Sequence, residues 1–286
     1  MMMIKREYHC LVAGLPALFF DTTRLAATLV EWKEQLKDEL HPLDYKLVES
    51  YFLRYDNRSI YNILTKKEDL PDPLGNYSRE LIEEIIVLLK DEDTDMNSLD
   101  FPVYLSRFIR AFQSETPVFP EKSWENQLSQ LYYKHLSTID NPFIRDWYGY
   151  ESDLTNIITA ANCRKHQLDV RNELVGDNEI TENLIRSSAR DFGISNEFPL
   201  LENILRAVEE EDLMEREKKF DLIKWKYLDD EVFFHYFTIE FIFAFIVKLE
   251  IISRWLKLDR STGEEMFREL VGQMKTTYTF PEEFTI

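Results

Sequence analysis

Apolar residues recur along most of this chain at intervals of three and four, the rhythm of helices that bury one face. The first long run, DTTRLAATLVEWKEQLKDEL (21–40), puts Leu25, Leu29, Trp32 and Leu36 in that rhythm, with Asp21 as the expected N-cap. His41-Pro42 stops it and starts another, because proline suits the first helical position. That second helix, LDYKLVESYFLRYDNRSIYNIL, is expected to reach about residue 66. PDPLGN (71–76) is a turn-rich break, SRELIEEIIVLLKDE follows with Ser78 as its cap, and DEDTDMN is a solvated loop. FPVYLSRFIRAF, SWENQLSQLYYKHLS and a long helix opened by Asn141-Pro142, which Gly149 is expected to bend, continue the pattern. NEITENLIRSSAR, PLLENILRAVEEEDLMEREKKFDLIKWKYL and TGEEMFRELVGQM read as further helices, and TTYTFPEEFTI as an extended tail. YHCLVAGLP near the start suits a strand or a first helical turn. The expectation is an all-α protein of ten or eleven helices.

One stretch departs from the amphipathic rhythm. VFFHYFTIEFIFAFIVKLEII (232–252) is long enough to cross a bilayer, yet it carries His235, Glu240, Lys248 and Glu250. A transmembrane helix needs roughly 20 mainly apolar residues, and each central charge costs about 2.5–3.5 kcal/mol. Glu240 cuts the run after FTI, FIFAFIV ends at Lys248, and KYLDDE precedes the stretch with no basic cluster to orient it. It is expected to be a buried helix at the centre of a helical protein.

Composition narrows the class. At 286 residues and 44% hydrophobic, the chain can bury a sizeable core. Against 34 basic residues stand 53 acidic ones, and the net charge of −19 repels phosphate backbones and anionic lipid. Nucleic acid is therefore not an expected partner. Two cysteines, Cys10 and Cys163, and the lack of a charged segment leading into a signal-type apolar stretch point to a reduced cytoplasmic protein. Seven glycines in the whole chain disfavour a turn-dense β architecture.

Repetition is the next signal. Asn62-Ile63-Leu64 and Asn156-Ile157-Ile158 lie 94 residues apart, and a further 94 reaches Glu250-Ile251-Ile252. FPVYLSRFIRA and FPLLENILRA end 96 residues apart, at Ala111 and Ala207. Three units of this length nearly fill the chain, which divides at roughly 1–98, 99–194 and 195–286.

Long helices with an acidic residue a turn or two before Asn-Ile-[Ile/Leu] make this sequence resemble the V-type ATPase central-stalk family designated C, or d in eukaryotic enzymes. The stretches that carry the resemblance are YDNRSIYNIL, YESDLTNII and VKLEIISRWLKLDRSTGEEMFREL. The N-terminal YHCLVAGLP is similar to that of an uncharacterised bacterial family encoded among V-type ATPase genes. This sequence departs from the stalk family in being somewhat short and in having Glu250 in place of a third Asn. The resemblance implies three similar helical segments arranged as a funnel, forming a non-catalytic socket on the cytoplasmic face of the membrane. Its implied partners are the rotor stalk subunits and the membrane rotor ring, with proton or other ion transport driven through the rotary motor. No cofactor is implied, and the isolated chain is expected to be a monomer. The other reading is an unrelated cytoplasmic helical scaffold or adaptor.

Catalytic and metal patterns are thin. No GxxxxGK phosphate loop and no GxSxG elbow occurs. Cys163-x-x-His166 offers two ligands where a structural zinc needs four, and reads as one buried and one wet helical residue. Asp91 and Asp95 lie in a segment rich in loop formers, and Glu209, Glu210, Glu211 and Asp212 read as a solvated helix face. The remaining candidates are polar residues inside apolar helices: Asn62, Glu151, Asp153, Asn156, Glu240, Glu250 and Arg254. Local pairing accounts for them in one way, for example Glu250 with Arg254 at i, i+4. On the resemblance they line the funnel and meet the stalk or the ring.

Overall fold

A computed structural model of the chain describes residues 6–67 and 72–258. Among them are eleven helices and no strand: α1 (His9–Gly14), α2 (Leu29–Glu39), α3 (Pro42–Leu64), α4 (Arg79–Leu88), α5 (Val103–Gln113), α6 (Trp124–Leu136), α7 (Pro142–His166), α8 (Glu179–Arg186), α9 (Leu201–Val208), α10 (Leu213–Val232) and α11 (Ile239–Lys257). YHCLVAGLP forms a short helix, α1, and not a strand. The expected helix and tail after residue 261 lie outside the described residues. No helix among those described is long and apolar enough to cross a membrane.

Several boundaries follow from cap chemistry. Ser78 and Ser123 accept from the third backbone N–H of α4 and α6, and proline opens both α3 and α7. α7 runs through Gly149 as one helix.

Three expectations are corrected. α2 begins at Leu29 and not at Asp21, because Thr28 and Glu31 form a reciprocal capping box, the stronger start signal. The run from Pro199 to Leu228 is two helices. Carboxylates are favourable at a helix N-terminus and Asp is a strong N-cap residue, so a new helix starts within the acidic run. Asp212 then accepts from the backbone of Met214 and Glu215 to start α10. Glu209 to Asp212 is thus a junction and not a helix face.

The third correction divides the 232–252 stretch. Its second half is the buried helix α11, where Ile242, Phe243, Ile246 and Val247 are at most 1% exposed. Its first half is a turn, since five successive aromatic residues, Phe233 to Phe237, cannot share one buried helix face.

The three longest apolar helices, α3, α7 and α11, run parallel. Their starts are tied together: Asn141 donates to Glu240 at 2.9 Å, while Tyr8 donates its hydroxyl to Asp44 at 2.5 Å and its backbone N–H to the Phe237 carbonyl at 2.6 Å. Further along, Tyr51 of α3 and Tyr148 of α7 both meet Phe243 of α11 edge-on, each with centroids 5.8 Å apart. Ser50 and Tyr148 share a hydrogen bond of 3.0 Å. These meeting points lie 97 and 95 residues apart, and the same intervals relate Ile60, Ile157 and Ile252, none more than 1% exposed. Phe101 and Phe198, buried just ahead of α5 and α9, are also 97 apart. The contacts therefore follow intervals near 96, and the Asn62 motif, 94 before Asn156, stands about one helical turn out of step with it. α2, α6 and α10 each pack on the long helix that follows them.

Two cores hold this arrangement. The larger gathers α2 to α6, the first half of α7, the end of α10 and α11. The smaller joins the second half of α7 to α8, α9, the 192–198 turn and the first half of α10. α7 and α10 belong to both, with Ile144, Trp147 and Tyr148 in one and Leu154, Ile157 and Ala160 in the other.

Candidate functional site

Polar side chains inside this apolar body collect along a seam between α3, α7, α10 and α11. At its centre Arg54 of α3 forks onto Glu151 of α7, its two terminal nitrogens donating at 3.3 and 3.0 Å. The guanidinium lies 4.0 Å from the centroid of the Tyr51 ring, and Lys224 of α10 approaches the other side of Glu151 at 4.0 Å. Burial pushes the Glu151 carboxyl upward, but Arg54 and Lys224 outweigh it and hold the group below its ordinary range. A buried carboxylate is stable only with such partners, so this pair fixes how α3 and α7 lie against each other.

The seam continues along α11. Glu250 accepts from the hydroxyls of Tyr51 and Tyr55 at 3.4 Å each, tying α11 to α3. Arg254 donates to Asp221 of α10, as does the indole of Trp255 at 2.8 Å. Each member of the expected Glu250–Arg254 pair thus turns to another helix. Asp221 is buried and takes both of its donors from α11, while Glu250 is half-buried between α11 and α3. At the other end Glu240 accepts from Thr238 and Asn141; burial raises its carboxyl, and these bonds bring it below the ordinary range.

Two further polar groups clamp loops. Asp56, fully buried on α3, accepts from the backbone of Asn76 and Tyr77 and from the Asn76 amide. Burial raises its pKa to about 7, against the pull of those bonds and of nearby Lys33. Lys33 in turn donates to the carbonyls of Leu74 and Gly75, and a Cβ at Gly75 would stand 2.9 Å from the Asp56 carboxylate. On α7, Asn156 holds both the N–H and the carbonyl of Val175. Asn62 is buried near the end of α3, beside a groove formed with Asn57, Tyr61 and Lys67.

Asp153, one turn from Asn156, faces outward into a recess of about 900 Å³ between α6, α7 and α10. Tyr150 stacks there on Tyr227 at 3.7 Å and on Phe198 at 5.2 Å, and burial raises Asp153, opposed by a hydrogen bond from Asn178. Glu151 and Asp153, neighbours but one in sequence, therefore serve the seam and the recess respectively.

The structure thus places Glu151, Glu250, Arg254 and, at its head, Glu240 along one seam, and sets Asp153, Asn156 and Asn62 apart from it. Arg54, Asp56, Asp221 and Lys224 complete the arrangement without having been singled out in the sequence. Arg54 alone carries a signal, readable once the 97-residue frame is known: Tyr51-x-x-Arg54 and Tyr148-x-x-Glu151 stand in that frame with opposite charges. Cys163 is buried and His166 exposed, and among the described residues no three His, Cys, Asp or Glu side chains gather as a metal site.

The fold and seam define an all-helical protein whose polar interior is committed to locking long helices together. The chain matches, over residues 5–278, the model of a family described as Protein of unknown function (DUF2764), and it belongs to that family. No curated protein and no solved structure matches it.

Proposed function

We propose that this protein is a non-catalytic central-stalk component of a V-type, ion-translocating rotary ATPase, a socket linking the rotor stalk to the membrane ring. The observation that carries the reading is the set of three parallel helices, α3, α7 and α11, meeting at Tyr51, Tyr148 and Phe243 at intervals of 97 and 95 residues. Such spacing is what three successive copies of one helical unit would leave, as the resemblance to the V-type stalk family implies. A part that passes torque must resist sliding between its elements. Close-packed side chains deform little, and the ion pair and hydrogen bonds between the long helices oppose slippage along their axes. In this reading the chain is peripheral to the cytoplasmic face of the membrane and monomeric when isolated.

The test is a tagged pull-down from the native host in mild detergent, with mass spectrometry of the bound proteins. Recovery of stalk subunits together with the ring is the expected result. Recovery of soluble proteins with no ATPase component would overturn it in favour of a helical scaffold or adaptor.

A further inference from the structure

The turn between α10 and α11 carries the most exposed aromatic cluster on the described surface. Phe233, Phe234 and Tyr236 are 60, 80 and 58% exposed, and Phe237 is 39% exposed. Phe233 packs edge-on against Phe234 with centroids 4.9 Å apart. The cluster is held in place from below. His235 donates its backbone N–H to the Val232 carbonyl at 2.8 Å and sets its ring against Phe143, while Phe237 is bound by the Tyr8 backbone and touched by the His9 ring at 4.4 Å. These anchors belong to the starts of α1 and α7, so the aromatic crown projects from the end of the molecule where the long helices begin. Apolar exposure of this kind marks an interaction surface.

Charge beneath the crown narrows the partner. Asp229, Asp230 and Glu231 fill the last turn of α10, which holds no basic residue. Negative charge there opposes the helix dipole, at about 0.3–1 kcal/mol per group. Lys248 neutralises Asp229, which leaves Asp230 and Glu231 exposed beside the aromatic rings. Anionic lipid would be repelled by these carboxylates. The cytoplasmic loops of membrane proteins are enriched in Lys and Arg, and complement them.

We propose that the crown of Phe233, Phe234, Tyr236 and Phe237, with Asp230 and Glu231, docks on the basic cytoplasmic loops of a membrane protein. Resting on the reading above, that protein is the rotor ring, and the end where α3, α7 and α11 begin faces the membrane. The aromatic residues supply the anchors, and the two carboxylates supply orientation.

The experiment compares tagged wild type with Phe233→Ser/Phe234→Ser and with Asp230→Lys/Glu231→Lys in the same detergent pull-down. Melting curves confirm that the variants fold, and phosphatidylcholine vesicles serve as a protein-free surface. The expected result is a loss of the ring protein of at least tenfold in both variants, with stalk subunits still recovered and no binding to the vesicles. Equal recovery of the ring by wild type and variants would overturn the docking assignment while leaving the socket reading in place. Vesicle binding by wild type that the serine variant loses would make lipid the occupant and also overturn it. Failure of wild type to recover any ATPase component would remove the socket reading, and this assignment with it.

Discussion

Tyr51, Tyr148 and Phe243 are no more than 1% exposed, while Phe233, Phe234 and Tyr236 are each more than half exposed, yet both groups are aromatic clusters joined to charged residues. The difference lies in how the charges are answered. In the interior, Glu151 and Glu250 find donors on another helix, and the rings close around them. At the crown, Asp230 and Glu231 are exposed in a helix turn whose dipole disfavours them. An aromatic cluster with its charges paired internally stabilises the fold; one with charges presented outward contributes little to folding and is free to meet a partner.

The sharpest way to break that contrast is Glu151→Ala. It strands the Arg54 guanidinium against Tyr51, and removing one partner of a buried ion pair costs about 3–5 kcal/mol. A large drop in the urea midpoint is expected. Arg54→Met/Glu151→Leu should recover much of the loss, since packing then replaces the pair. Acid sharpens the same point. Glu151 is held below the usual carboxylate range, so its contribution is present above its unfolded pKa and is lost as pH falls through the folded value. Glu151→Gln should show less loss of stability on acidification than wild type.

Asp56 behaves with the opposite sign. Its folded pKa is raised to about 7 by burial, so the folded state holds this proton more tightly than the unfolded chain. Stability from this site therefore falls as pH rises from about 4 to about 7 and is level above that. Urea titrations of wild type and Asp56→Asn across this window should show the advantage of wild type shrinking with rising pH. An unchanging difference would mean that Asp56 does not titrate there.

A smaller effect is expected at Thr28→Ala, which removes one arm of the α2 capping box and costs about 1 kcal/mol, readable as a modest drop in melting temperature. Thr28 also shows what was legible in the sequence. Helix content follows from the three-and-four rhythm, and the starts at Pro42, Ser78 and Pro142 follow from local cap signals. Asp21 reads as the cap because a single Asp before an apolar run is a one-residue signal; the Thr28–Glu31 reciprocity needs two. The interior charges Glu151, Glu250 and Arg254 stood out as oddities within apolar runs. Their partners did not, because Arg54 and Asp221 sit in helices that tolerate charge on an outer face. Which face is outer depends on where the long helices cross, and that is settled by packing between residues nearly 100 positions apart. The Asn-Ile motifs, 94 apart, stand about one turn from the positions 97 apart that the packing brings together.

The smallest expected effect is the one that most sharpens the contrast. Phe234→Ser deletes a ring that is 80% exposed and leaves the backbone bonds at His235 and Phe237 untouched. Surface substitutions of this kind change stability by within about 0.5 kcal/mol. Its melting curve and urea midpoint should coincide with those of wild type. Tyr148→Ala removes a ring of similar size from the interior, leaves Ser50 without its 3.0 Å partner and opens a void against Phe243, so it should unfold far more readily. Matching losses for the two variants would mean that the crown folds back onto the body in solution. It would then be a second part of the core, with no surface left for a partner.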